Sequence, residues 1–435
     1  MKRRLISFSS LFVLCSVLAM SMTSAVFAQN STGHISSTCV NANGTTDART
    51  GDIGGSNYLF EVPSNWNGTL LLYSHGYRFT GSALTPQDGS DATTDGALLK
   101  QGYALAGSSY SQNGWALQQA FNDQFALLDF FNKTCGTPLR TIPWGDSLGG
   151  IITAGLVQLQ PWRFAGAMPL CGVLSGGIGT WNEALDSSFA FNLLVAGGQL
   201  PPVHITNPSG NFTTAETDIK AAQATPQGRA RIALSAALAD LPGWFNSALP
   251  EPAATDFTSQ EQNQFLWQTQ VDLPFAYFGR QELEARAGGN PSWNIGVDYE
   301  DQFRKSVDHT EVEALYKQAG LNLDQDLDTL NNAQRIAPDQ KAVNYLSQFI
   351  TFNGDLDIPV LTMHTTGDGL VVNSNENIYA KVVNENDDSS LLRQVFVNRA
   401  GHCTMTPAER LAAIGTLINR INTGHWGDTT DPTLM

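Results

Sequence analysis

Three residues far apart in the chain carry side chains that together could break a carboxylic acyl bond: Ser147 in "WGDSLGG", Asp368 in "HTTGDGLVV" and His402 in "NRAGHC". A serine hydroxyl is a weak nucleophile. It needs a base within hydrogen-bonding reach and a carboxylate to orient that base. In this reading Ser147 attacks, His402 takes its proton and returns it to the leaving group, and Asp368 holds His402 in place. Water then repeats the cycle on the acyl-enzyme. The rivals are less well placed: Asp355 and Asp357 precede the strand that Asp368 follows, His364 falls at that strand's end, and His425 lies beyond the last helix.

Such residues need a scaffold, and the sequence around Ser147 describes one. "RTIPW", residues 140–144, is a short apolar run, and "LGGIITAGLVQLQP" carries small and apolar residues until Pro161 stops it. A strand, a sharp turn at Ser147 and a helix follow from that pattern. Gly145 and Gly149, two residues either side, leave room for the turn, as the Gly-x-Ser-x-Gly elbow requires. The developing oxyanion needs two backbone donors. Leu148, just after the nucleophile, supplies one and Tyr77 of "SHGY" the other.

The elements around the elbow alternate. Strands are predicted at Leu70 to Tyr73, within 102–110 and from Phe164 to Leu170, with a helix over 116–132. After 353, "IPVLTMHTTGD" and "LRQVFVNRAGH" give two strand-and-loop units and "TPAERLAAIGTLINRI" a closing helix. Strands alternating with helices predict an α/β fold with a mostly parallel sheet covered on both faces. Between about 175 and 353 the pattern turns helical without buried strands, which predicts a cap insertion dividing the core into 29–174 and 354–435. Trp181, Trp244 and Trp267 in the insertion are candidates to line an acyl or aromatic pocket, against the commoner role of cap aromatics as plain core.

The N-terminus has a basic start, an apolar middle and Ala-Val-Phe-Ala, which predicts a signal peptide over 1–28, cleaved after Ala28, and export. Removing its three cations takes the formal charge from −16 to −19, a balance that repels nucleic acid and anionic membrane surfaces. Four cysteines survive processing, and in an oxidising compartment they predict two disulfides. Three connectivities are possible; the one favoured joins Cys39 to Cys135 and Cys171 to Cys403, since the latter two flank predicted active-site loops. Sequons stand at Asn30, Asn43, Asn67, Asn132 and Asn211. Asp324, Asp326 and Asp328 imitate the start of a calcium loop, but Thr329 replaces its glycine and Arg335 its glutamate. No metal and no cofactor is implied. The expected partner is a small or polymeric ester, with neither nucleic acid nor membrane.

On "SHGY", "GDSLGG", "TTGDGLV" and "AGHC" the chain resembles the α/β-hydrolase superfamily, in particular secreted serine esterases and peptidases with a large helical cap. The letters Gly-Asp-Ser-Leu also match flat-sheet GDSL esterases. Those place the serine near the mature N-terminus and the histidine in Asp-x-x-His, and this chain does neither. Cys403 after His402 is similar to tannase and feruloyl esterase chains, although Asp146 stands where they have a cysteine before the serine. The resemblance implies a serine esterase. It leaves as alternatives a proline-releasing aminopeptidase, with Glu282 or Glu284 holding the substrate amine, and a non-catalytic binding module.

Overall fold

A computed structural model describes Cys39 and residues 45–427. The proposed signal peptide with its cleavage after Ala28, and the sequons at Asn30 and Asn43, lie outside the described residues. No helix among the described residues is long and apolar enough to cross a membrane.

Eight strands form one sheet: β1 (Asp47–Ile53), β2 (Ser56–Val62), β3 (Thr69–Ser74), β4 (Ala104–Ser108), β5 (Arg140–Asp146), β6 (Met168–Leu170), β7 (Val360–Gly367) and β8 (Leu392–Ala400). Their order is β1-β2-β4-β3-β5-β6-β7-β8, parallel from β4 to β8 and antiparallel where β1 and β2 join. The β1–β2 hairpin was not expected from the sequence. Its cue was there, since Gly54-Gly55 separates the paired Ile53 and Ser56 and both glycines have positive φ, as a two-residue hairpin turn demands. β1 stays mostly exposed, so no buried face gave it an apolar rhythm.

Core helices pack on both faces. They are α1 (Ala92–Lys100), α2 (Leu117–Cys135), α3 (Leu148–Leu159) and, after the insertion described below, the last two helices of the chain. Along β3 the two-residue strand period divides the core: Leu70 and Leu72 join the cluster with α2 and α3, while Leu71 and Tyr73 join Leu98 of α1 on the other face.

Between β6 and β7 every regular element is helical: α4 (Gly176–Leu194), α5 (Pro208–Gln223), α6 (Pro226–Ala237), α7 (Phe257–Trp267), α8 (Arg280–Ala287), α9 (Tyr299–Lys305), α10 (His309–Ala319), α11 (Leu323–Asn332) and α12 (Gln340–Gln348). This is the large helical cap. The chain closes with α13 (Ser374–Glu385), between β7 and β8, and α14 (Pro407–Thr423). α13 sits with α2 and α3, through Tyr379 and Val383, and α14 with α1.

Two local features of the cap matter. α7 and α8 are joined by π-helical turns at Gln268–Asp272 and Phe275–Gly279, either side of Pro274, whose ring removes a hydrogen bond from the helix interior. The acidic run read as a failed calcium loop is the helix α11, where Asp326 pairs with Arg231 at 2.8 Å.

Candidate active site

β5 delivers its chain straight into the turn before α3. Ser147 occupies that turn with φ 61° and ψ −122°, a left-handed conformation that costs a non-glycine residue about 1–3 kcal/mol. The surroundings hold it there: its N–H donates to Leu170 O at 2.9 Å, and its carbonyl accepts from Gly150 N–H at 2.8 Å. A Cβ on Gly149 would come within 1.8 Å of Ser74 O, and one on Gly145 within 2.4 Å. Glycine at both positions is therefore a packing necessity, because β3 runs against the elbow.

Asp368 immediately follows β7 and is 1% exposed. Its Oδ1 accepts from the N–H groups of Leu370 and Val371, both at 3.0 Å, and its Oδ2 lies 2.7 Å from His402 Nδ1. Burial would raise this carboxyl, but His402 and His364 beside it hold it well below the usual carboxylate range. His402 follows β8 on the neighbouring loop, so Asp368 and His402 meet at the carboxyl edge of adjacent parallel strands. Among the described residues there is no hydrogen bond between Ser147 Oγ and His402, whose Nε2 lies 3.3 Å from Cys403 Sγ. Serine–histidine bonds often tighten only once substrate is bound.

The rival residues fall elsewhere. Asp355 and Asp357 are exposed on the loop before β7, at the opposite edge, and His425 lies beyond α14.

Ser147 opens into a cavity of about 110 Å³ walled by Tyr77, Trp115, Leu148, Trp181 and Phe275. Leu148 is the first residue of α3, and the first N–H groups of a helix have no intrahelical acceptor. Tyr77 belongs to the loop after β3, whose Gly76 lies against Ser147: a Cβ there would stand 3.3 Å from Ser147 Cβ. His75 steadies that loop through Gly76 O and Ser109 O and stacks on Tyr110 at 4.1 Å.

Two sequence expectations about the cavity are corrected. Only Trp181 of the three cap tryptophans lines it; Trp267 packs behind Gly369 and Trp244 lies beyond that, accepting the Trp267 indole N–H. Glu282 and Glu284 do not reach it either. Glu282 is held by Arg286 and the Trp115 N–H, and Glu284 by the N–H groups of His204 and Ile205, because both are anchoring cap to loops. The acids that do line the cavity are Glu183 on α4 and Asp272 at the π-helical turn. The sequence concealed Asp272, since Pro274 made a continuous helical path look like a break.

Two links tie the neighbours of Ser147 to those of His402. Disulfides join Cys39 to Cys135 and Cys171 to Cys403, with Cα separations of 5.2 and 5.4 Å. The second anchors the residue after His402 to the chain just past β6. Separately, Asp146 accepts from Arg410 at 2.7 Å and from the Tyr73 hydroxyl at 2.9 Å, while Arg410 also donates to Cys403 O at 3.1 Å. The aspartate that stands in place of a cysteine thus reaches Cys403 through an arginine. Cys171, His402 and Cys403 are close enough together to suggest a metal site, but both sulfurs are spent in the disulfide.

Arg410 and Asp146 side chains are 8% and 13% exposed, so removing one strands the other. Arg410→Met is expected to cost about 3–5 kcal/mol in urea unfolding, and Asp146→Asn in that background to recover part of it. A loss below about 1 kcal/mol would mean that water already screens the pair.

No family model matches this chain. It is 30% identical over 405 residues to the o-phthalyl amidase of Xanthobacter agilis, an alignment covering 86% of this chain and 87% of that protein. Among solved structures, feruloyl esterase B from Aspergillus oryzae is 15% identical, with a TM-score of 0.42 over 88% of this chain and 82% of that one. Proline iminopeptidase from Mycobacterium smegmatis is 14% identical, with a TM-score of 0.39 over 87% and 99% of the two chains.

Proposed function

As this chain belongs to the family of the o-phthalyl amidase, within the α/β-hydrolases, and is a hydrolase of that type, we propose that it cleaves carboxylic esters through an acyl-enzyme on Ser147. His402 serves as general base and then acid, and Asp368 orients it. The Leu148 and Tyr77 amides face the oxyanion. The observation that carries this is the pairing of a positive-φ serine at the elbow with the 2.7 Å His402–Asp368 hydrogen bond at the same sheet edge.

The aromatic walls of the cavity favour a flat or apolar acyl group. The amidase relative favours a second reading, amide cleavage, which runs through the same acyl-enzyme with a poorer leaving group. A panel of aliphatic and aromatic chromogenic esters, phthalyl amides and aminoacyl anilides separates them. Faster turnover of aminoacyl anilides than of any ester would overturn the esterase reading in favour of an aminopeptidase. No turnover of any substrate by folded protein would leave a binding module.

The cavity's acids add a pH signature. Glu183 accepts from Ser374 Oγ at 2.7 Å, yet burial raises it to about 8, with Asp240 and Asp186 adding to the effect. Below that pH it is a neutral acid and above it an anion. An acyl group carrying an ortho carboxylate, as in a phthalyl monoester, is therefore expected to bind with KM rising as pH passes through about 8. A neutral benzoyl ester should show no such rise, and Glu183→Gln should abolish it. Equal KM profiles for the two esters would remove Glu183 from the acyl site.

A further inference from the structure

His364 lies on β7, fully buried, on the same strand face as Thr362. Its Nδ1 stands 3.2 Å from Glu376 Oε1 on α13. Its Nε2 stands 2.7 Å from Val371 O and 3.4 Å from Asp368 Oδ2. Glu376 is also fully buried, and its Oε2 accepts from Thr362 Oγ1 and Gln394 Nε2, both at 2.6 Å. The ring is thus held between two carboxylates and a carbonyl, all of them acceptors. Asp368 Oδ2 is shared, with His402 on one side and His364 on the other.

We propose that His364 is a positioning residue acting through Asp368: a standing imidazolium, anchored by Glu376, that fixes the charge Asp368 presents to His402 and so sets the pH at which turnover begins. The proposal rests on the acyl-transfer roles given above to Ser147, Asp368 and His402.

The charge balance carries the argument. Glu376, His364 and Asp368 together hold a net −1 beside a neutral His402, and proton transfer from Ser147 brings the buried set to zero. Take away the His364 charge and the set holds −2. The added negative charge then moves the onset of turnover to higher pH. Take away the Glu376 charge instead and the set is neutral, so turnover begins at lower pH.

The charged groups facing His364 are Glu376 from α13 and Asp368 from the loop after β7, with His402 beyond Asp368 on the loop after β8. The other hydrogen-bond partners of the set are neutral: Thr362, Gln394 and the main chain of Leu370 and Val371. Burial alone would lower His364, but hydrogen bonds to Asp368 and Glu376 and their charges raise it to about 10, so it stays charged across neutral pH. His75 is the opposite case. Its partners are carbonyls without a counter-ion, and burial lowers it to about 4.

The test is the pH dependence of kcat/KM between pH 5 and 10 for a chromogenic ester that the full chain hydrolyses. At an effective dielectric near 20, a unit charge about 6 Å from a titrating group is worth about two pH units. In His364→Gln the acid limb should move up by about one to two units, and in Glu376→Gln it should move down. The double variant restores net −1, and its midpoint should return close to that of the wild type even if its rate does not. Midpoints that stay fixed, or that move the same way in both single variants, would give His364 a merely structural role. Should His364→Gln fail to fold, the Glu376→Gln and double-variant midpoints decide. Ser147→Ala run in parallel keeps the two readings apart: if it stays active, the serine chemistry itself has failed.

Discussion

Ser147→Ala is expected to abolish nearly all ester turnover, by up to about a millionfold in kcat, because of the hydroxyls that line the cavity, Thr180, Ser187 and Ser188 among them, Ser147 is the one held in the strand-to-helix turn. What remains should be the ~10³ to 10⁴-fold advantage over water that binding and oxyanion donors provide without a nucleophile. Stability is expected to change by less than ~0.5 kcal/mol. Alanine at φ 61° bears the same strain as serine, and the Ser147 N–H and carbonyl bonds to Leu170 and Gly150 are main-chain bonds that the substitution leaves intact. Initial rates with an activated ester, beside a urea unfolding curve, measure both. Turnover above a tenth of wild type in the folded variant would assign the chemistry to another group.

The elbow and its sheet were legible because backbone sterics leave marks in sequence. Gly145 and Gly149 are glycines for want of space against Ser74, and the buried strands are short apolar runs bounded by turns. What escaped were charged residues hidden at apolar positions. On α14 the buried positions are Arg410, Ala413, Ile414 and Leu417, a helical stripe whose first member is an arginine. On α13 they include Glu376, Tyr379 and Val383, a stripe begun by a glutamate. A long charged residue at the head of an apolar stripe has to find a buried partner. Arg410 finds Asp146 and Glu376 finds His364, each beside a proposed catalytic residue. Neither partner could be named in advance, since each lies on a different element and only the sheet order brings it near.

Asp368→Asn should come second in effect, at about 10⁴-fold in kcat, and through the tautomer of His402 rather than through loss of a contact. The carboxylate accepts at both oxygens: Leu370 and Val371 N–H on Oδ1, His402 and, at 3.4 Å, His364 on Oδ2. An asparagine can keep its carbonyl toward the two main-chain donors only by turning its NH₂ toward His402. The imidazole must then accept at Nδ1 and carry its proton on Nε2, where it has no capacity left to take the serine's. Stability should respond differently from rate. Because the Asp368 carboxyl is held below its ordinary range, its charge stabilises the folded chain above the unfolded value near ~3.9, and that contribution is lost as pH falls through the folded value. The asparagine variant should therefore be less stable than wild type at neutral pH, with the gap narrowing in acid. Asp355→Asn, at an exposed position on the far edge of the sheet, is the control and should change kcat by less than about threefold. If Asp355→Asn proved the more damaging of the two, the acid would have to be reassigned to the loop before β7.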